Sequence, residues 1–234
     1  MQKPLKQSTI RTGSDYKRVD KYIVPILIFV LSFFCFLVFY NYIFFYQENR
    51  MLFVFSGEYF REFASKPGGL LEYAGNFLSQ GYYSNLYGAF LQASVLTLIA
   101  VVFIRINKRL SPGSTFLLFS AALASFILML IQTNINYRLH YNLGFLFTAA
   151  YFLYSIKSVK KSTSILLTAF FPVFFYITGA FSWIFLGMIT GYFIISKEPV
   201  NTIVYWLMAG LSLILFKAVL FLQPWSELLY YPLP

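Results

Sequence analysis

Long apolar runs alternate with short polar stretches along the whole chain. A run of about 18 or more apolar residues is long enough to cross the hydrocarbon layer of a bilayer as one helix. Runs of this kind, some of them shorter, occupy residues 22–46, 87–104, 115–132, 143–156, the two halves of 162–196 on either side of Thr178-Gly179-Ala180, and 200–222. The pattern predicts an all-α fold, a polytopic transmembrane helical bundle of about seven spans.

The polar stretch at residues 47–87 separates the first two runs and contains four of the chain's eight carboxylates. Its apolar and polar positions repeat with helical spacing on both sides of Lys66-Pro67-Gly68-Gly69. Proline ends a helix at the residue before it, and paired glycines allow a turn without steric cost. We therefore expect an amphipathic helix-turn-helix that lies in the membrane interface.

The amino-acid composition is unlike that of soluble proteins. Of the 234 residues, 59% are hydrophobic and 11% are charged, and the mean hydropathy is +0.68. Such values are typical of polytopic membrane proteins. Residues 1–21 contain no apolar run, so the predicted organisation is a basic cytoplasmic tail at 1–21 and a single membrane domain at 22–234, which includes the loop 47–87.

The net charge of +10 would favour nucleic-acid binding in a soluble protein, but here the basic residues fall in short clusters between apolar runs. Cytoplasmic loops are enriched in Lys and Arg, so such clusters indicate topology. With a cytoplasmic N-terminus, that side holds six basic residues up to Lys21, three after the second run, three after the fourth and Lys197, which is 13 of the 18. We predict no nucleic-acid partner, the inner membrane of a bacterium as location, and a periplasmic loop at 47–87.

Glu58 and Glu62 are the first candidates for chemistry. They lie one helical turn apart at a membrane surface, where two carboxylates could bind a divalent cation or provide one general base. The alternative is a solvated helix face that Arg61 and Lys66 neutralise. We predict Glu58 and Glu62 as catalytic residues and a divalent cation as the conceivable cofactor.

A second set of candidates could bind substrate. Glu72 repeats with Asn76 and Gln80 at four-residue spacing, which predicts a polar groove. His140, the only histidine, forms a basic pair with Arg138 that would suit a phosphate or pyrophosphate. An interfacial anchor without a ligand is the alternative for this pair.

Part of this polar stretch resembles a known but uncharacterised family. The sequences are EYF at residues 58–60, PGGLLEY at 67–73, GNFL at 75–78 and YY at 82–83, followed by Gly88. They resemble the signature of a bacterial family of polytopic inner-membrane proteins that is classed as a domain of unknown function. The resemblance covers residues 52–92 and implies no reaction.

A looser similarity is to the GT-C class of integral-membrane glycosyltransferases, in which a long outer loop with surface helices and an acidic catalytic residue follows the first span. The loop 47–87 and Glu58 are similar to that plan. The resemblance implies transfer of a sugar or related group from a polyprenyl-linked donor at the periplasmic face, with Arg138 and His140 on the phosphate. A non-catalytic scaffold that docks other membrane subunits through the loop is the alternative.

The catalytic hypothesis and the scaffold hypothesis predict different environments for the candidate side chains. Catalysis requires Glu58 or Glu62 to face a cavity that also contains Arg138 or His140. A scaffold would turn these groups to open water. A transporter is disfavoured, because ionisable groups are nearly absent from the predicted spans.

Overall fold

The computed structural model describes residues 16–50, 52–110, 116–157, 161–196, 199–219 and 229–233. Over these ranges the chain contains α-helices and no strand, so the predicted all-α fold is confirmed for them. The helices are α1 (Tyr16–Phe34), α2 (Tyr42–Arg50), α3 (Gly57–Ala64), α4 (Gly69–Ser79), α5 (Asn85–Leu110), α6 (Phe116–Gln132), α7 (Leu139–Lys157), α8 (Lys161–Thr178), α9 (Phe181–Ile195) and α10 (Pro199–Val219). A π-helix at Cys35–Phe39 and a 3-10 helix at Gln80–Tyr83 supplement them.

The first apolar run does not form one straight helix. α1 continues into the π-helix, and the direction then changes by 79° before α2. Tyr40 at the break has a φ of −119° and a ψ of 21°, outside the helical range. The next residue, Asn41, accepts a hydrogen bond from the Phe44 N–H through its carbonyl and so begins α2. The run at residues 22–46, predicted as one span, is therefore bent, since asparagine favours such turns over a helix interior.

The helix-turn-helix predicted at residues 47–87 is confirmed as α3 and α4. The Ser56 hydroxyl caps α3 by accepting a hydrogen bond from the Tyr59 N–H at 3.1 Å. Gly68 precedes α4 with a φ of +75°, a left-handed conformation that favours glycine. The turn therefore follows from the Pro-Gly-Gly sequence itself.

The region 162–196 divides where the sequence predicted. Gly179 ends α8 with a φ of +58°, and its N–H donates to the Phe175 carbonyl at 2.8 Å. A left-handed glycine at this position is a common helix terminator. α9 then begins at Phe181, so the region contains two helices.

α5 is the central helix of the first half, where it packs against α1, α6 and α7. The core there contains Phe44, Leu96 and Leu143. A second core between α7, α8, α9 and α10 contains Phe171 and Phe185. α3 and α4 form a helical hairpin. α4 packs against both α7 and α8, so one side of this hairpin is fixed to the bundle.

Helix length supports part of the predicted membrane topology. Among the described residues, Asn85–Leu110 is long and apolar enough to cross a bilayer, and the bent pair Ile23–Phe39 and Tyr42–Arg50 would be a second such unit if it counts as one span. Four further apolar helices are shorter: Phe119–Gln132, Ala169–Thr178, Phe181–Ile195 and Thr202–Ala218. These lengths do not establish a seven-span bundle.

Candidate functional site

A polar cavity of about 280 Å³ lies where the end of α2, the middle of the hairpin, the start of α7 and the segment 231–233 converge. Its lining is charged and amphipathic, and comprises Gln47, Arg50, Glu72, Ile135, Asn136, Arg138, His140, Tyr141, Tyr231, Pro232 and Leu233. Concave sites with a few convergent polar groups are the usual places for ligand binding. Three of the five residues predicted as site residues, Glu72, Arg138 and His140, are among them.

Glu72 and Arg138 form the ion pair of this cavity. The Arg138 guanidinium donates to the Glu72 carboxylate over 2.9 Å between Nη1 and Oε1, across 66 residues of sequence. The Glu72 side chain is 12% exposed and that of Arg138 41%. Burial raises the pKa of Glu72 above its ordinary value, and the nearby Arg138 charge opposes this rise.

His140 lines the same cavity and is only 2% exposed. Burial lowers its pKa to about 3, and the positive charge of Arg138 acts in the same direction. The imidazole is therefore neutral at physiological pH. α4 approaches it closely, because a Cβ added to Gly75 would lie 2.6 Å from the His140 Cβ.

Gln47 and Arg50 reach the cavity from α2. The buried Gln47 amide donates to the carbonyls of Ile135 and Tyr137, at 3.3 and 2.9 Å. The Arg50 guanidinium donates to Asn136 Oδ1 at 2.7 Å and has no carboxylate partner among the described residues. Arg50 therefore brings a positive charge to the cavity that the described part of the protein does not neutralise.

The segment 231–233 closes one side of the cavity. The Tyr231 carbonyl accepts a hydrogen bond from the Ala180 N–H at 3.0 Å. A Cβ on Gly68 would lie 2.5 Å from Pro232 Cδ, and one on Gly179 would lie 2.6 Å from the Tyr231 carbonyl oxygen. The two glycines thus allow the segment to lie directly on the hairpin turn and on the α8–α9 break.

The two other predicted site residues, Glu58 and Glu62, lie on α3, at the exposed surface of the hairpin. Both are exposed, and neither belongs to the lining of the cavity. Glu62 pairs with Lys66 one turn later, over 3.1 Å between Oε1 and Nζ. Glu58 makes no ion pair with any described residue. The structure brings Glu72, Arg138 and His140 together in the cavity lining. Glu58 and Glu62 stay outside this lining, although the charge of Glu62 contributes to the raised pKa of Glu72.

Metal binding has little support from the arrangement of side chains. In the described ranges, no three His, Cys, Asp or Glu side chains cluster closely enough to hold an ion. Among the described lining residues, Glu72 is the one carboxylate, and it is already paired with Arg138. Two guanidinium groups beside it favour an anionic ligand.

Sequence reasoning missed Gln47, Arg50 and the segment 231–233. Gln47 is the first polar residue after an apolar run and is fully buried, so its position at the end of the run was an available signal. Arg50 lies in the loop that the sequence singled out. Nothing local marks Tyr231-Pro232-Leu233, because only the tertiary fold brings them to the cavity.

The fold and the cavity together define a helical protein with an apolar central helix and a small charged cavity at one end of the bundle. The chain belongs to the family of unknown function DUF6057, whose profile matches residues 16–234. No curated protein and no solved structure matches the chain.

Proposed function

We propose that the chain is a multi-pass membrane protein whose cavity binds the phosphate of a lipid-linked substrate at the outer face of the membrane. In this proposal the seven apolar runs are spans, the N-terminus is cytoplasmic, and the cavity opens on the periplasmic side of a bacterial inner membrane. The observation that carries it is the convergence of Arg50 and Arg138 on one cavity, whose described lining includes one carboxylate, Glu72.

The outer faces of the helices support a membrane location. Large apolar side chains are exposed on helices throughout the described structure, among them Leu27 on α1, Phe119 on α6, Ile195 on α9 and Leu207 on α10. Monomeric soluble proteins rarely expose contiguous apolar surface on this scale. Contact with lipid would remove the free-energy cost of exposing these side chains to water. The same argument applies to α6, α9 and α10, whose apolar segments are shorter than a full span.

The hairpin and the segment before it also carry a cluster of aromatic side chains. Phe53 packs against Tyr59, Tyr73 and Phe77 with ring centroids 5.4, 4.8 and 5.5 Å away, while Phe55 next to it is 81% exposed. Phe55 precedes α3, and exposed aromatics beside an amphipathic helix suit insertion into the membrane interface. A lipid would bring its phosphate to the arginines and its chain to this surface.

Group transfer is the enzymatic extension of this proposal. A sugar or related group would leave a polyprenyl phosphate, and Glu72 is the carboxylate placed to take the proton of the acceptor hydroxyl. Arg138 would neutralise the phosphate that leaves. Glu58 and Glu62, the first candidates from sequence, do not line this cavity.

The alternative is a scaffold that docks a membrane subunit. Leu52 and Phe55, in the segment before α3, are 77% and 81% exposed, which suits a protein contact as well as a lipid surface. A scaffold would leave the cavity without a ligand.

Binding of a polyprenyl phosphate to the full chain in nanodiscs tests the proposal. We expect Arg138→Gln to weaken binding at least about tenfold, because a charge-assisted contact is lost. Arg61→Gln, an exposed arginine of the same hairpin, is the matched control and should leave the affinity unchanged. Equal affinity for all three proteins, or no binding to the wild type, would favour the scaffold.

Cysteine labelling tests the topology. The chain has one native cysteine, Cys35, which is first replaced by Ala. Gly57→Cys should react with a membrane-impermeant maleimide in intact cells, because its position is open and exposed. Reaction only after the inner membrane is opened would reverse the orientation.

A further inference from the structure

Glu72 depends on one arginine for the compensation of its charge. Its Oε1 accepts the hydrogen bond from Arg138 Nη1 at 2.9 Å, and this is the one ion pair that Glu72 forms with a described residue. The Glu72 side chain is 12% exposed, whereas that of Arg138 is 41% exposed. Solvent therefore screens the guanidinium much better than the carboxylate, and part of the guanidinium stays accessible to an anion.

Other charges near Glu72 do not replace this partner. Burial is the largest influence on its pKa and raises it above the ordinary value of 4.5, while Arg138 is the strongest opposing charge. The charge of Lys66 also lowers this pKa and that of Glu62 raises it, and these two side chains form an ion pair with each other. Arg138 therefore contributes most to keeping Glu72 ionised.

The elements that pack against α4 contain further titratable groups. Besides Arg138 and Lys66, they include Glu58, Tyr59, Arg61 and Glu62 on α3, Tyr82 and Tyr83 on the 3-10 helix, His140 and Tyr141 at the start of α7, and Tyr176 at the end of α8. Of this set, Glu62 is the one whose charge acts on Glu72. His140 has a pKa of about 3 and is neutral at physiological pH.

An anion in the cavity would disfavour the ionised form of Glu72. It competes for the Arg138 guanidinium and adds a negative charge to a volume of about 280 Å³. Like charges at short range disfavour each other, most strongly where burial limits screening. We infer that binding of an anion to Arg138 is coupled to the uptake of a proton by Glu72, so that the affinity of the site depends on pH. This inference rests on the proposed function and describes the regulation of the same site.

The sign of the coupling follows from the charges. A bound anion raises the pKa of Glu72 above its value in the free protein, so the complex gains stability as the pH falls between these two pKa values. One coupled proton changes the affinity by at most about tenfold per pH unit. Above the higher of the two pKa values, Glu72 stays ionised in the complex and is a stronger base, as the group-transfer extension requires.

Calorimetry with a ligand of fixed charge tests the coupling. Citronellyl sulfate is an isoprenyl ester whose sulfate, unlike a phosphate monoester, does not titrate near neutral pH. It is added to the full chain in phosphatidylcholine nanodiscs, and empty nanodiscs correct for partition into the bilayer. We expect the affinity to increase at least about threefold from about pH 8 to about pH 5, with net proton uptake in buffers of different ionisation enthalpy.

Two negative results have different meanings. Equal affinity at every pH without proton uptake would overturn the inference and leave the proposed anion site standing. Absence of binding by both citronellyl sulfate and citronellyl phosphate would remove the inference and the proposed function together.

Two carboxylates of the hairpin provide matched variants. Glu72→Gln keeps a polar side chain of the same size but cannot take up the proton. Its affinity for the sulfate should be nearly independent of pH and, at pH 8, no lower than that of the wild type. Glu62→Gln removes a nearby carboxylate that does not line the cavity and should retain the pH dependence. A dependence that survives in Glu72→Gln, or is lost in Glu62→Gln, would contradict the assignment to Glu72.

Infrared difference spectroscopy decides the question if Glu72→Gln does not fold. When citronellyl sulfate binds to the wild type at low pH, the C=O band of a protonated carboxyl group should appear and a carboxylate band should weaken. Glu62→Gln should show the same two changes. Absence of a new carboxyl band on binding would overturn the inference.

Discussion

The two faces of the α3–α4 hairpin carry similar side chains in opposite environments. On the outer face, Glu58 and Glu62 are exposed, and Glu62 pairs with Lys66 within its own helical segment. On the inner face, Glu72 is half-buried and pairs with Arg138, which comes from a different part of the chain. Burial and a distant partner give a carboxylate its special properties, and spacing along a helix does not.

The largest expected effect comes from the seam between α4 and α7. Gly75→Ala adds a methyl group 2.6 Å from the His140 Cβ and 3.1 Å from its backbone, so the helices must separate. We expect a loss of about 1–3 kcal/mol in the free energy of unfolding. Thermal or denaturant unfolding in detergent measures it.

Gly57→Ala is the control on the outer face, where a Cβ meets no atom within 4 Å. It should be neutral or stabilising by up to about 1 kcal/mol, since alanine favours a helix more than glycine does. Equal effects of the two substitutions would remove the distinction between the faces.

Breaking the ion pair of the cavity should have the next largest effect. Arg138→Gln leaves the Glu72 carboxylate buried without its countercharge, which should cost about 1–2 kcal/mol because Arg138 is partly exposed. Glu72→Gln together with Arg138→Gln should recover part of this loss. A double-mutant cycle that finds no coupling would show that the pair does not stabilise the fold.

The pH dependence of the free energy of unfolding should show the contribution of His140. Its folded pKa of about 3 lies below the ordinary value of 6.5, so the unfolded chain takes up a proton first as the pH falls. The free energy of unfolding should therefore decrease between pH 6.5 and 3, by at most about 1.4 kcal/mol per pH unit. Glu72 has a raised pKa and acts with the opposite sign, so its stabilisation is lost as the pH rises through that pKa.

The contribution of His140 is isolated by comparing His140→Asn with the wild type over the same pH range. The variant should show a shallower loss of stability in acid. Identical pH curves would mean that His140 titrates in the folded protein as it does in the unfolded chain.

The smallest effect is expected on the outer face. Glu62→Gln removes an exposed pair between residues four apart, which contributes about 0.5 kcal/mol or less. Stability and ligand affinity should both stay close to those of the wild type. A clear loss of ligand affinity in Glu62→Gln would give the outer carboxylates the functional role that the sequence predicted.

Local signals were enough to predict much of the fold. The Pro-Gly-Gly turn between α3 and α4 and the break at Gly179 were both predicted, because proline and left-handed glycine impose them on the backbone. The 79° bend between α1 and α2 was not, since neither Pro nor Gly occurs at Tyr40 and Asn41.

The candidate site was harder to predict. Glu58 and Glu62 were ranked first because they lie one turn apart, a property that the sequence shows. The close approach of Gly75 to His140, which turns Glu72 inward, depends on how α4 packs against α7. Gln47 and Tyr231 reach the cavity across large separations in sequence, which no local pattern encodes.

Photolabelling tests the central claim, that the inner face of the hairpin binds the ligand, most directly. The full chain in nanodiscs is irradiated with a polyprenyl phosphate that carries a diazirine next to its phosphate, and the labelled peptides are mapped by mass spectrometry. We expect label on residues 47–50, 135–141 and 231–233, with competition by unmodified polyprenyl phosphate. Label confined to residues 57–64 on the outer face would contradict the account.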